Sequence, residues 1–143
     1  MKAKEYLEQL QDMNIKINQN LQLLEEMKEN ALCTGGMNYG SDRVQTSHVQ
    51  GNMEKAVSVY MDFDRQINDD IDAFYTAKMR ITNEIHDLRD ADHIHVLYKF
   101  YVQFKGVDAI SSEMKKSKRW VYEKRNAALD EFDRIHPTLE KFA

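Results

Sequence analysis

The feature that most constrains this sequence is the scarcity of helix-breaking residues. Of 143 residues only five are glycine and one is proline, whereas a β-sandwich or a β-barrel needs many such residues at its turns. Four of the five glycines fall between residues 35 and 51, so long uninterrupted segments lie on both sides. We therefore predict an all-α fold.

Apolar residues in these long segments recur with the three- and four-residue spacing of a coiled-coil seam. The seam positions are Leu7, Leu10, Ile17, Leu21 and Leu24 in the first segment, and Met53, Val57, Tyr60, Ile67, Ile71, Phe74, Ile81, Ile85 and Leu88 in the second. Such spacing is typical of two long helices that pack along a shared stripe. Residues 1–90 are thus expected to form a long antiparallel helical hairpin, with a glycine-containing loop at about 31–51.

The register of this hairpin follows from pairing seam positions. Residues whose numbers sum to 81 bring Leu10 opposite Ile71 and Leu24 opposite Val57. A slip of one heptad is left open, because the repeat is the same after seven residues. In the first register Ile81, Ile85 and Leu88 have no partner on the first helix. They have to pack either on the C-terminal part of the chain or on another subunit. Because a second subunit could cover them, we predict a homodimer.

Residues 91–143 show shorter helical segments and form the second predicted domain. An amphipathic stretch at 91–104 leads to a turn at Gly106, a short helix at 107–114, a break, and a longer helix at about 118–134. Ser117 is a suitable N-cap for the last helix. A short helix, a tight break and a longer helix have the spacing of a helix-turn-helix. Its buried side is predicted to be Val121, Ala128, Leu129, Phe132 and Ile135.

Several residues of this segment carry a family resemblance. They are Leu97-Tyr98-Lys99-Phe100-Tyr101-Val102, Ile110, Glu113-Met114, Ser117, Val121 and Ala128-Leu129, and they resemble region 4 of the sigma-70 factors. The whole chain is similar to small phage and prophage proteins that place a helical hairpin before such a region, and RinA-type late activators have a similar plan. The string Ser41-Asp42-Arg43-Val44-Gln45-Thr46-Ser47 is similar to a segment of that group.

This resemblance implies a phage or prophage transcription regulator that binds double-stranded DNA. It further implies RNA polymerase as a candidate partner and the cytoplasm of a bacterial host cell as the location. One departure concerns the turn, which usually has a small residue followed four positions later by glycine, whereas this chain has Ser111 and Lys115. A left-handed Lys115 would cost roughly 1 kcal/mol relative to glycine.

Charge supports DNA contact at the same place. The chain carries a net charge of −4, but residues 99–125 contain eight basic and three acidic residues, which favours a polyanion as ligand. By the resemblance Lys118, Arg119, Tyr122 and Glu123 read bases, since Lys and Arg donate to guanine and Glu accepts from cytosine. Phosphate contacts are expected from Lys105, Lys115, Lys116 and Lys124, and Ser117 combines capping with a phosphate contact. Trp120 either packs against helix 91–104 or stacks on a sugar.

No motif predicts an enzyme, a metal site or a cofactor. Cys33 has no nearby histidine in the sequence, so a catalytic thiol is not expected. Asp90-x-x-His93 has the spacing of a metal site in a helix bundle, but such a site needs a second copy of the motif. No apolar run approaches the roughly 18 residues of a membrane span, and a single cysteine is typical of a reducing cytoplasm.

Two other functions remain open from the sequence. A protein-interaction adaptor that has lost DNA binding would explain the acidic overall charge and the departures at Ser111 and Lys115. A small terminase subunit would also join a helix-turn-helix to coiled-coil helices, but it should assemble into large rings.

Overall fold

A computed structural model describes the backbone of residues 1–37 and 46–142 and the side chains of residues 1–30 and 54–142. The described residues form five α-helices and no strand, which confirms the all-α class. The helices are α1 (Ala3–Met37), α2 (Thr46–His86), α3 (Ala91–Leu97), α4 (Val107–Met114) and α5 (Lys118–Ile135), and a π-helical turn, Tyr98–Val102, directly follows α3. None of the described helices is both long enough and apolar enough to cross a bilayer.

The predicted loop at about 31–51 is shorter than expected, because α1 continues to Met37 and α2 begins at Thr46. Residues 38–45, with most of the Ser41–Ser47 string, lie outside the described residues. The side chains of Cys33 and Met53 lie outside them as well.

The helices form two compact units. The first unit contains Met1–Asn14 and Ala73–Ala143, and the second contains Ile15–Asp72. Both α1 and α2 therefore contribute turns to each unit. The predicted domain boundary at residue 90 divides the chain differently, since a heptad pattern that runs on along a helix does not show which of its turns pack with other helices.

Within the first unit α1 and α2 are antiparallel, in a register that differs from the predicted sum of 81. The hydroxyl of Tyr6 donates a hydrogen bond to Glu84, and Met13 lines a cavity of about 230 Å³ together with Ala73 and Ala77. The numbers of Tyr6 and Glu84 sum to 90, and those of Met13 with Ala73 and with Ala77 sum to 86 and 90. All lie above 81, in the direction of the one-heptad slip that the repeat allows.

The seam residues that had no partner in the predicted register are buried in a single chain. Ile81 and Ile85 are 0% exposed and Leu88 is 4% exposed, and all three belong to the first unit, which also contains the C-terminal helices. They therefore do not need another subunit to cover them. The ground on which a homodimer was predicted is therefore removed.

In the second unit the seam is only partly closed. Ile17, Leu24 and Ile67 are buried, but Leu21 and Val57, which were expected in the seam, are 41% and 42% exposed. Two helices cover only one stripe of each other, so apolar residues at the edge of that stripe stay in solvent.

The C-terminal helices of the first unit share one core. Both α3 and α4 pack against α5, and the π-helical turn packs against α4. The buried side chains are Val96, Leu97, Tyr101, Val102, Ile110, Val121, Ala128, Leu129 and Phe132. The prediction for Ile135 is wrong, because this residue is 37% exposed. It is the last residue of α5, and the backbone leaves the helix at His136.

The first turns of α1 complete this core. The ring of Tyr6 is fully buried, and its centroid lies 6.0 Å from that of Phe132 and 5.3 Å from that of Phe142. The amide of Ala3 donates to Asp133 Oδ1 over 2.7 Å, and the amide of Phe142 donates to Gln9 Oε1 over 2.8 Å. The first two turns of α1 thus pack against α5 and the C-terminal residues.

Candidate nucleic-acid interface

The approach to α4 turns at Phe104 rather than at the predicted Gly106. Phe104 has a φ of 56°, whereas Gly106 is extended at φ −80° and ψ 166°. The π-helical turn ends with the amide of Gln103 donating to the Tyr98 carbonyl over 3.0 Å, and the amide of Lys105 donates to the Lys99 carbonyl over 2.9 Å. Gly106 therefore does not use the conformational freedom of glycine.

The break between α4 and α5 is a tight left-handed turn. Lys115 has φ 54° and ψ 45°, and its amide donates to the Ser111 carbonyl. The amide of Lys116 donates to the same carbonyl over 3.1 Å, so the turn combines the amide–carbonyl bond of an αL cap, made by Lys115, with the longer bond of a Schellman motif, made by Lys116. The Ser111 hydroxyl donates to the Lys116 carbonyl. Lys115 thus takes the conformation for which glycine is usual, at a cost of roughly 1 kcal/mol.

Ser117 caps α5 as predicted. Its Oγ accepts a hydrogen bond from the amide of Trp120 over 3.1 Å, and its backbone is extended at φ −70° and ψ 156°. The predicted limits of α4, 107–114, agree with the structure, and α5 begins at Lys118 and ends one residue beyond the predicted 134. The cap leaves the hydroxyl proton of Ser117 free to be donated to an anion.

The four predicted base-reading residues lie together on the first two turns of α5. The side chains of Lys118 and Arg119 are 64% and 88% exposed, and Tyr122 is 44% exposed. Glu123 is exposed as well. Positions separated by one, four and five residues share one side of a helix, so a single ligand surface can contact all four.

The two cations among these four residues, Lys118 and Arg119, each form an ion pair with a carboxylate. Lys118 Nζ lies 2.7 Å from Asp108 Oδ1 on α4, and this hydrogen bond raises the pKa of Lys118. Arg119 Nε lies 3.1 Å from Glu123 Oε1, four residues further along α5. Exposed pairs of this kind contribute at most about 1 kcal/mol to the free energy of unfolding.

Lys105, which was expected to contact phosphate, forms an ion pair with Glu113. Both Lys105 and Lys99 donate hydrogen bonds to the two oxygens of Glu113, the second over 2.9 Å. These two hydrogen bonds hold the pKa of Glu113 below its ordinary value. Lys99 and Lys105 therefore link the segment before α4 to α4 itself. Unlike Lys115, Lys116 and Lys124, Lys105 has a carboxylate partner.

Two of the cations without a carboxylate partner, Lys116 and Lys124, lie close to the indole ring of Trp120. Lys116 Nζ lies 5.4 Å and Lys124 Nζ lies 5.8 Å from the ring centroid. Among the described residues no carboxylate forms an ion pair with Lys115, Lys116 or Lys124. Trp120 itself is partly exposed. Its two cation–π contacts were not anticipated by either sequence-based alternative.

A further cation of α5, Arg125, was missed by the sequence reasoning. Its guanidinium lies 5.3 Å from the ring centroid of Phe100 and 5.2 Å from that of Tyr122. Its Nε is buried without a hydrogen-bond partner among the described residues. Arg125 thus stacks between aromatic rings and helps to fix Tyr122. Its spacing of three residues from Tyr122 was the signal that could have found this contact.

The Asp90–His93 pair does not assemble a metal site. His93 Nδ1 lies 3.1 Å from Glu131 Oε1, and His93 Nε2 lies 3.6 Å from Asp90 Oδ2. Asp90 also caps α3, since its Oδ1 accepts from the amide of Asp92 over 2.9 Å. The two carboxylates therefore face different nitrogens of the ring, and the described part of the chain holds no cluster of three or more metal-ligating side chains.

The sequence matches no protein-family model, and neither a curated protein nor a solved structure matches it. The role of the surface formed by α4 and α5 is accordingly inferred from its own geometry and charge.

Proposed function

We propose that this chain binds double-stranded DNA with the surface formed by α4 and α5, and that it regulates transcription. One observation carries the proposal: the exposed, cationic first turns of α5, held behind a short helix by a tight turn. A second helix presented in this way is the element that a helix-turn-helix places in the major groove. The exposed Lys118, Arg119 and Tyr122 then lie where base edges are read.

Phosphate contacts come from the cations that have no carboxylate partner. Lys115 and Lys116 are exposed in the turn before α5, and Lys124 lies on the second turn of that helix. Lys116 and Lys124 both make cation–π contacts with Trp120. Three ammonium groups that form no ion pair within the described residues attract the DNA backbone and release its condensed ions on binding.

The uneven distribution of charge along the chain favours contact of a polyanion with residues 99–125. Residues 99–125 carry a net +5, so the other residues carry −9 of the total of −4. An acidic body repels DNA while one basic surface attracts it, which restricts binding to that surface. This pattern explains how an acidic protein can bind nucleic acid.

The regulatory role follows from the resemblance to sigma region 4 and to phage regulators. In that role RNA polymerase is the expected protein partner, and the bacterial host cytoplasm is the expected compartment. A homodimer is not part of the proposal, because Ile81, Ile85 and Leu88 are covered within one chain.

Duplex binding is tested by fluorescence anisotropy across a salt series, after selection of bound sequences from a random duplex library. We expect log K to fall linearly with log salt, and a Lys115→Ala/Lys116→Ala/Lys124→Ala variant to have a slope smaller by about 2–3. A matched control is Lys16→Ala/Lys28→Ala/Lys55→Ala, which removes three exposed lysines from the second unit. This control should bind duplex DNA with an unchanged slope.

The outcome also separates DNA binding from the adaptor function. That second candidate is favoured by one observation, namely that Asp108, Glu113 and Glu123 all form ion pairs with cations of this surface. If the wild-type chain binds no duplex even at low salt, DNA binding is excluded and the adaptor function gains support.

A further inference from the structure

The two exposed cations at the start of α5 are held in different ways. Lys118 is attached to another helix, since its ammonium lies 2.7 Å from Asp108 on α4. Arg119 is paired within its own helix, with Nε 3.1 Å from Oε1 of Glu123. Arg119 is also the more exposed of the two, at 88% against 64%. Arg119 is therefore the more accessible of the two to a ligand.

The ion pair of Arg119 leaves its most useful donors free. Glu123 contacts Nε, which is the nitrogen nearest the main chain, and the two terminal nitrogens make no hydrogen bond with the described residues. Those terminal nitrogens form the fork that donates to O6 and N7 of guanine. A carboxylate on Nε limits rotation of the fork while leaving it open to a base.

Glu123 cannot easily serve as a second base reader in this arrangement. Its Oε1 already accepts from Nε of Arg119, so a cytosine could be read only by Oε2, in the orientation that the bond to Arg119 imposes. The observed pair thus restricts the base contacts that Glu123 could make.

Resting on the proposed function, we propose that Arg119 reads a guanine and that Glu123 is a positioning residue for Arg119 rather than a base reader. Glu123 acts by holding Nε so that the fork points into the groove. Lys118 is paired with Asp108 on α4, so Arg119 rather than Lys118 is assigned to the guanine.

The test measures base preference position by position, with duplexes that differ from the selected sequence at one base pair each. For the wild type we expect guanine to be preferred roughly 5- to 100-fold at one position, and Arg119→Ala should abolish that preference. Glu123→Ala should lower the preference at the same position by about twofold, the range expected for an exposed pair four residues apart.

Charge and positioning are separated by a matched pair of variants. Glu123→Gln and Glu123→Ala both remove one negative charge, so both should raise affinity for all duplexes alike. Only glutamine keeps an oxygen that can accept from Nε, so Glu123→Gln should retain the guanine preference that Glu123→Ala weakens. In the Arg119→Ala background, changing Glu123 should have no further effect on preference.

The alternative roles predict different results. If Glu123 reads cytosine, Glu123→Ala will change preference at a different base pair from Arg119→Ala, and the proposal is overturned. The same holds if Arg119→Ala leaves every preference intact while the wild type still selects sequences. A wild-type chain that binds no duplex would instead contradict the proposed function itself.

Discussion

Tyr6 and Glu84 are joined by a hydrogen bond across 78 positions of the sequence. The tyrosine ring is fully buried between Phe132 and Phe142, so the same side chain contacts α2, α5 and the C-terminal residues. Burial, followed by the hydrogen bond to Glu84, raises the pKa of Tyr6. One side chain of α1 thus connects the helix-turn-helix to the rest of the first unit.

Tyr6→Phe should lower the free energy of unfolding by about 1–3 kcal/mol, because the half-buried Glu84 carboxylate loses its donor while the ring contacts remain. Urea denaturation measures the change. Tyr75→Phe is the control, since Tyr75 is 56% exposed and its change should stay within about 0.5 kcal/mol. Equal effects of the two substitutions would show that the Tyr6 hydroxyl has no structural role.

Lys115→Gly should raise the free energy of unfolding by about 1 kcal/mol, because glycine adopts the left-handed conformation of this turn without strain. The control is Lys116→Gly, which removes the same charge from a neighbouring residue that has no positive φ. It should lower stability instead, by roughly 0.5–1 kcal/mol. Thermal denaturation of both variants at one salt concentration makes the comparison, and stabilisation by both would contradict the strain assigned to Lys115.

Gly106→Ala should be tolerated, with a change in the free energy of unfolding of at most about 1 kcal/mol. The backbone of Gly106 is extended and a Cβ there would meet no heavy atom within 4 Å. Alanine restricts the unfolded chain, but Gly106 is the N-cap of α4, where glycine is preferred to alanine, so the two effects oppose each other. Chemical denaturation provides the measurement, and a loss well above about 1 kcal/mol would contradict the unstrained, open environment of Gly106.

Glu113 should make stability depend on acid pH. Hydrogen bonds from Lys105 and Lys99 hold its pKa below the ordinary value, so its contribution is complete above the unfolded pKa of about 4.3. That contribution is lost as pH falls through the folded pKa. The wild type should therefore be more stable than Glu113→Gln at pH 6, with the difference shrinking below about pH 4.3. Urea titrations at several pH values test this, and a difference that does not vary with pH would contradict it.

The limits of α4 and α5 could be predicted from the sequence to within a residue. Ser117 defines the start of α5 through its own hydroxyl, and the break before it stops α4. Such signals act over three or four residues, so they can be recognised without knowing the tertiary structure. The question of a left-handed Lys115 came instead from the resemblance, because Lys115 holds the position at which the turn usually has glycine.

Features that depend on distant residues could not be predicted. A heptad repeat is unchanged by a shift of seven, so it could not distinguish the observed pairing of Tyr6 with Glu84 from the predicted register. The contact of Phe142 with Tyr6 has no periodic signal, because the chain after Pro137 is not helical. The spacing of Arg119 and Glu123 was visible, but it fits both an ion pair and two base readers.

The division of the chain into units has a consequence for its topology. The first unit is assembled from two segments, Met1–Asn14 and Ala73–Ala143, and the second unit lies between them in the sequence. In topological terms the second unit is an insertion into the first. Met13 and Ala73 line the same cavity, so the two points of insertion are neighbours in space. Helical hairpins of other lengths could therefore replace residues 15–72 without separating the two segments that build the first unit.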